Sequence, residues 1–134
     1  MIAHPNALLI HHAIQAANAG DRETLRALWA DDIVWHVKGT GPWQGELKGA
    51  DDIFEYLAEL GGFGHDGVHT EIEDVMVSNR RAAVICQTRT GRAPSALDAG
   101  FLLIATIVDR RIQRLVTVPV DEARVEDFRS DPDA

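Results

Sequence analysis

The sequence is poor in cysteine, and Cys86 is its one residue of this type. A single thiol cannot form an internal disulfide, so this composition is typical of a protein that works in a reducing compartment. The first twenty residues also lack the basic segment of a secretory signal, and His11, His12 and Gln15 interrupt their apolar run. We therefore expect no signal peptide and a cytoplasmic location.

Long apolar runs and excess positive charge are missing too. No uninterrupted apolar run approaches the roughly 20 residues that a membrane-spanning helix needs. The chain has 13 Lys and Arg against 21 Asp and Glu, which gives a net charge of -8. Because phosphate binding needs a basic face, this balance argues against nucleic acid and membranes as partners.

The common catalytic and metal-binding motifs are also absent. There is no Gly-x-Ser-x-Gly, no phosphate-cradling loop with a lysine and no Cys-His signature. His11 and His12 are adjacent and point apart on a helix, while His65 and His69 lie in a loop and at a strand start rather than on one helix face. We therefore expect neither a metal nor another cofactor.

Apolar periodicity is present, and in the first part of the chain it is helical. Residues 5–18, 21–29 and 51–60 each place apolar side chains on one face of a helix. Pro5 suits a first helical turn, and Gly20 suits the left-handed position that ends a helix. The sequence thus predicts three helices before residue 61.

Strand-like runs dominate the rest of the chain. Residues 33–38 alternate as a short strand, and four longer runs follow at 68–77, 82–90, 97–108 and 112–120. The breaks between these longer runs are of hairpin length. Helices followed by a long antiparallel meander predict one α+β domain over all 134 residues.

One strand-like run is apolar on both alternating sets of side chains. This run, residues 101–108, reads Phe-Leu-Leu-Ile-Ala-Thr-Ile-Val. An antiparallel strand with two apolar faces needs cover on both sides. The helices can cover one face, and the other suggests a two-fold homodimer, with a central strand under loops as the alternative.

The order of elements between Ala16 and Gly49 resembles a known family. A helix ends in Asn-Ala-Gly-Asp, a second helix ends at Asp-Asp, a short strand runs to Gly39, and a Gly-containing hairpin leads to a third helix. This order resembles the start of the cone-shaped fold shared by nuclear transport factor 2, ketosteroid isomerase and the SnoaL-like polyketide cyclases. The resemblance implies three N-terminal helices packed on a curved antiparallel sheet.

The resemblance also places functional positions on this sequence. The catalytic base of ketosteroid isomerase falls on His36, and an aromatic residue that lines its steroid pocket falls on Tyr56. Its two oxyanion donors fall on Ala13 and near Ile104, neither of which can donate from its side chain. The resemblance therefore implies a pocket for a small apolar organic molecule, without the isomerase's oxyanion hole.

His36 is the main candidate for chemistry because histidine can act as acid or base near neutral pH. By alternation it faces outward if Trp35 and its neighbours pack in the core, whereas the resemblance implies that it faces the cavity. Asp98 or Asp121 at strand ends could pair with His36 and orient it, although Asp121 could instead cap a last helix over residues 121–130.

The candidate binding residues are aromatic or charged. Trp35, Tyr56 and Trp43, which lies in the Gly-rich hairpin, are large enough to line or rim a pocket. Arg89 lies at a strand end and could reach a substrate carboxylate or oxyanion, although a solvated hairpin arginine has the same pattern. With Asp98 at the cavity mouth, these residues form the predicted binding set.

Three functions remain compatible with the sequence. The first is a cofactor-independent isomerase, cyclase, dehydratase or hydrolase that uses His36 for proton transfer on a small apolar molecule. The second is a module that binds such a molecule without chemistry, which the missing oxyanion donors favour. The third is a protein-interaction domain that uses a face of its sheet. The sequence does not identify the ligand.

Overall fold

A computed structural model describes residues 4–37, 45–59, 68–90 and 97–120. The helices and strands are α1 Pro5–Ala19, α2 Arg22–Leu28, β1 Trp29–Val37, β2 Gly45–Lys48, α3 Ala50–Glu59, β3 His69–Val77, β4 Arg81–Thr90, β5 Leu97–Val108 and β6 Arg111–Pro119. None of the helices in these ranges is both long and apolar enough to cross a membrane. The last helix, expected over 121–130, lies outside the described residues.

Local side-chain chemistry sets the ends of the first two helices. Gly20, with φ of 72°, ends α1 in the left-handed conformation that glycine adopts without a steric penalty. Asp21 caps α2: its carboxylate accepts hydrogen bonds from the hydroxyl and the backbone N–H of Thr24, which hold the pKa of Asp21 below its usual value. The helix ends at Leu28, and Trp29 begins β1 instead of closing the helix.

The six strands form one curved mixed sheet in the order β2-β1-β6-β5-β4-β3. Its neighbouring strands are antiparallel except β1 and β6, which pair in parallel. The predicted α+β class is confirmed, and the parallel pair is the feature that local patterns do not show. Hairpin signals connect strands that are adjacent in sequence, whereas β1 and β6 are joined only through the intervening chain.

The core lies between the helices and one face of the sheet. Ile10 of α1, Leu25 of α2 and Ile53 of α3 pack against the sheet, and each is about 1% exposed. Register shifts interrupt the pairing between β1 and β6, between β3 and β4, and between β5 and β6. Such irregularities increase strand bending and twist, which is consistent with the curvature of the sheet. The face toward the helices is called here the inner face, and the opposite one the outer face.

Asn18 ties the end of α1 to the start of β3. Its side-chain amide donates to the backbone carbonyl of Thr70 and accepts from the backbone N–H of the same residue, each at 2.8 Å. Both bonds are partly buried, so losing them would leave two backbone groups of Thr70 without these partners. This reciprocal pair fixes where β3 begins relative to the helical layer.

We expect Asn18→Ala to lower the free energy of unfolding by about 2 kcal/mol, since it removes two partly buried hydrogen bonds. Asn79→Ala is the matched control, because Asn79 is exposed and makes one long side-chain contact, 3.4 Å to His4. That control should change stability by less than about 0.5 kcal/mol. Urea denaturation of both variants measures the difference, and equal losses would contradict the role of Asn18.

Candidate functional site

Alternation along β1 assigns its side chains to the two faces of the sheet. Ile33 and Val37 are buried and point toward the helices, and Trp35 between them has the same orientation. In the parallel register Trp35 lies opposite Leu115 of β6, and His36 lies opposite Val116. Leu115 belongs to the core, so the neighbouring pair of His36 and Val116 lies on the outer face.

A cavity of about 160 Å³ lies between the inner face and the helices. All three helices contribute to its wall, and so do strands β1, β3, β4, β5 and β6. None of the described residues that line it is Asp, Glu, Lys, Arg or His. Its polar side chains belong to threonine, tryptophan, tyrosine and cysteine, so the lining is apolar with a few hydrogen-bonding groups.

Trp35 and Tyr56 form the aromatic wall of this cavity. Their ring centroids are 5.2 Å apart and the rings are perpendicular, an edge-to-face arrangement that aromatic pairs favour. The indole N–H of Trp35 donates to the hydroxyl oxygen of Thr117 at 3.0 Å, and Thr117 also lines the cavity. The structure thus brings together two of the predicted binding residues.

Thr70, Thr88 and Cys86 line the cavity from β3 and β4. The hydroxyl oxygens of the two threonines are 3.1 Å apart, so one hydroxyl donates to the other. The thiol of Cys86 donates to the backbone carbonyl of Phe101 at 3.5 Å. Burial raises the pKa of this thiol to about 11, although a hydrogen bond with Thr88 partly opposes the shift. Cys86 is therefore protonated at neutral pH.

His36 is not among the residues that line the cavity. Its cross-strand neighbour on β2 is Glu46, and its Nδ1 lies 3.6 Å from Glu46 Oε1. This distance is too long for a good hydrogen bond. Nδ1 is itself buried without a hydrogen-bond partner among the described residues. A catalytic role for His36 stays a prediction, and its place on the outer face separates it from the cavity.

Arg89 is the other predicted site residue whose side chain the structure describes, and it is not among the residues that line the cavity. Arg89 donates to Glu71 at 2.8 Å in an exposed ion pair. Asp98 lies opposite Arg89 in the register of β4 and β5. Trp43 and Asp121 lie outside the described residues. Their proposed contributions to binding or catalysis stay predictions.

Several lining residues were not among the predicted site residues. Thr70, Thr88 and Thr117 lie on strands, and they share the inward orientation of core neighbours such as Val84 and Leu115. A signal was present in the sequence, because a hydroxyl at an inward position of an apolar strand needs a partner. Charge and acid–base chemistry single out side chains such as His36 and Arg89, whereas a neutral hydroxyl has neither property.

Within the described ranges, no group of three or more His, Cys, Asp or Glu side chains could hold a metal ion. The cavity itself contributes one sulfur ligand, Cys86, together with hydroxyls. The arrangement is thus suited to enclosing an organic molecule by apolar contact and a few neutral hydrogen bonds.

Comparison with known proteins agrees with this architecture. A model of the SnoaL-like domain matches residues 10–115. Bal32a, from a soil-derived mobile gene cassette, is 24% identical, with 92% of this chain and 95% of Bal32a covered and a TM-score of 0.84. An NTF2-like protein from Burkholderia xenovorans LB400 is 16% identical, with 97% and 99% covered and a TM-score of 0.76.

A further structural neighbour is TerC, whose structure was determined after co-crystallisation with polyporic acid. It is 16% identical, with 96% of this chain and 100% of TerC covered, and the TM-score is 0.79. No protein in the search of curated sequences matches this chain. At such low identities the structural likenesses establish the fold and leave the ligand open.

Proposed function

The chain belongs to the SnoaL-like domain family, and from this membership and its cavity we propose that it binds a small, neutral, largely apolar organic molecule. The observation that carries the proposal is an inner-face cavity whose described lining holds no charged side chain. Because transferring an unpaired charge from water into such surroundings is costly, the cavity selects against ions.

The chemistry of the lining also favours an organic occupant over a cluster of water. A buried water molecule typically needs two to four polar partners, and long stretches of this wall consist of Ile, Leu, Val and Ala. An apolar ligand gains free energy when it leaves water and needs few directed contacts in the cavity. TerC was co-crystallised with polyporic acid, which makes an organic ligand a reasonable choice for a protein of this fold.

Catalysis by His36 is the second candidate function. The observation in its favour is a ring nitrogen that is buried without a hydrogen-bond partner among the described residues. An isomerase, cyclase or dehydratase would need this nitrogen within reach of the bound molecule. Since His36 and the cavity lie on opposite faces of the sheet, binding without proton transfer by His36 is the function that we favour. Cytoplasmic location stays a prediction in either case.

We expect Ala17→Phe to weaken binding of the neutral fluorescent probe N-phenyl-1-naphthylamine by about tenfold or more. Ala17 lines the cavity on α1, so a phenyl ring there would take the space of the ligand. Ala27→Phe is the matched control, because Ala27 is exposed on α2. It should bind the probe as the unaltered protein does, with circular dichroism confirming the fold of both variants.

His36→Ala separates the two candidate functions in the same titration. The proposed binding function predicts an unchanged dissociation constant for this variant, because the side chain lies on the other face of the sheet. Full binding by Ala17→Phe, or loss of binding by His36→Ala, would contradict the assignment of the ligand to the inner-face cavity.

The outer face supports a separate proposal about assembly. Ile104 and Leu102 of β5 lie between Val116 and Val118 of β6 on one side and Ala83 and Ile85 of β4 on the other. Ile85 is 38% exposed and Val118 is 36% exposed. We propose that this apolar face is covered by a second copy of the chain, since a patch along a two-fold axis is self-complementary.

We expect the unaltered protein to sediment as a dimer at micromolar concentration and Ile85→Glu to sediment as a monomer. The new carboxylate would have to be buried in an apolar interface, which is costly. Leu8→Glu is the control, because Leu8 is 59% exposed on α1, away from the sheet. A monomeric unaltered protein at this concentration would overturn the proposal.

A further inference from the structure

The threonine hydroxyls of the cavity lie in two separate places. Thr117 is on β6, beside Trp35 of β1, whereas Thr70 and Thr88 are on β3 and β4. Thr117 pairs with Leu103 of β5, which pairs with Val84 of β4, and Thr88 lies four residues farther along β4. The two places are thus two strand spacings apart across the sheet and four residues apart along it. On a flat sheet this separation is roughly 16 Å. One functional group of a ligand cannot contact both.

Thr117 is best suited to a ligand atom that accepts a hydrogen bond. Its hydroxyl oxygen already accepts from the indole N–H of Trp35 at 3.0 Å. A threonine hydroxyl has one hydrogen to donate, and here that hydrogen is what Thr117 can offer to a molecule in the cavity. A carbonyl, ether or hydroxyl oxygen at this end of the ligand would accept it.

Thr70 and Thr88 form a more adaptable recognition point. Their hydroxyl oxygens are 3.1 Å apart, and either atom can be the donor in this bond. If Thr88 donates to Thr70, the hydrogen of Thr70 is directed elsewhere and can reach a ligand oxygen. If Thr70 donates to Thr88, the lone pairs of Thr70 can accept a hydrogen bond from a ligand hydroxyl. The pair therefore suits a neutral oxygen of either kind.

We infer that the ligand is an elongated, neutral, apolar molecule with an oxygen at each end, one held by Thr117 and the other by the Thr70–Thr88 pair. This inference rests on the proposed binding function and adds the chemical class of the ligand. The apolar wall between the two recognition points fits a rigid hydrocarbon frame such as linked or fused rings. Because no described lining residue is charged, carboxylates and amines are disfavoured at both ends.

The test is calorimetric titration with matched probes of one frame. These are biphenyl, 4-hydroxybiphenyl, 4,4′-dihydroxybiphenyl and biphenyl-4-carboxylate, with trans-stilbene and 4,4′-dihydroxystilbene as a longer pair. A neutral hydrogen bond contributes on average a few-fold in affinity, so at least one dihydroxy probe should bind about tenfold more tightly than its hydrocarbon parent. The carboxylate should bind more weakly than biphenyl.

Thr70→Val assigns this preference to the hydroxyl pair, because Thr70 is the member that contacts the ligand in either arrangement. The substitution keeps the shape of the side chain and should reduce the ratio of dihydroxy to parent affinity about threefold. Thr106→Val is the control, because Thr106 faces outward between Arg81 and Arg114 in the register of β4, β5 and β6. This control should leave the ratio unchanged.

The outcomes separate the two proposals. If biphenyl or stilbene binds and neither dihydroxy probe binds more tightly, the two-oxygen inference is wrong while the apolar binding function stands. The inference is also wrong if Thr70→Val leaves the affinity ratio unchanged. If none of the neutral probes binds, the proposed function fails, and the inference fails with it.

Discussion

The two-residue repeat of side chains along the strands is the constraint on which the rest of this structure depends. In β1 it directs Ile33, Trp35 and Val37 toward the helices and His36 to the other face. The register of β1 with β6 extends this division, because Leu115 and Thr117 align with Trp35 and Val37. A shift of one residue would exchange the two faces and move His36 into the cavity.

The cavity follows from this division together with the curvature of the sheet. The helices cover the inner face and leave an apolar space that Trp35 and Tyr56 wall on one side. Chemical character separates the two faces: neutral hydroxyls and a protonated thiol face the cavity, while groups such as His36 and Arg89 lie outside it. Binding and assembly can thus use opposite sides of one sheet.

Sequence reasoning identified the elements better than the site. Gly20 and Asp21 predicted the break between the first two helices because each has a local structural preference that the neighbouring chain satisfies. The parallel pairing of β1 with β6 could not be read in this way, since it depends on contacts between distant parts of the chain. The orientation of His36 was left open for the same reason, because the sequence of a short strand does not reveal which of its two faces will lie against the helices.

The threonines that line the cavity show a second limit of prediction from the sequence. Thr70 and Thr88 have inward positions that alternation can identify, yet their 3.1 Å contact requires β3 and β4 to pair in one register. Trp35 and Tyr56 were both predicted to line a pocket, Tyr56 from the resemblance and Trp35 because it is a large aromatic, and the structure brings their rings to 5.2 Å. Aromatic candidates were thus easier to identify than hydroxyl groups, whose role depends on partners.

Alkylation of Cys86 measures most directly whether the inner-face cavity holds the ligand. Cys86 is the one cysteine in the chain and it lines the cavity. The rate of its reaction with N-ethylmaleimide therefore reports on this position alone. The rate should be compared at one fixed pH well below 11, where the thiol is protonated and ligand effects are not confused with titration. Cys86→Ser combined with Ala27→Cys supplies an exposed thiol as the control.

The decisive comparison is between the alkylation rates without N-phenyl-1-naphthylamine and with a saturating concentration of it. Binding in the inner-face cavity predicts that Cys86 is alkylated about tenfold more slowly when the cavity is filled, while the thiol at position 27 reacts at the same rate with and without the probe. An unchanged rate at Cys86 under saturating probe would contradict binding in the inner-face cavity.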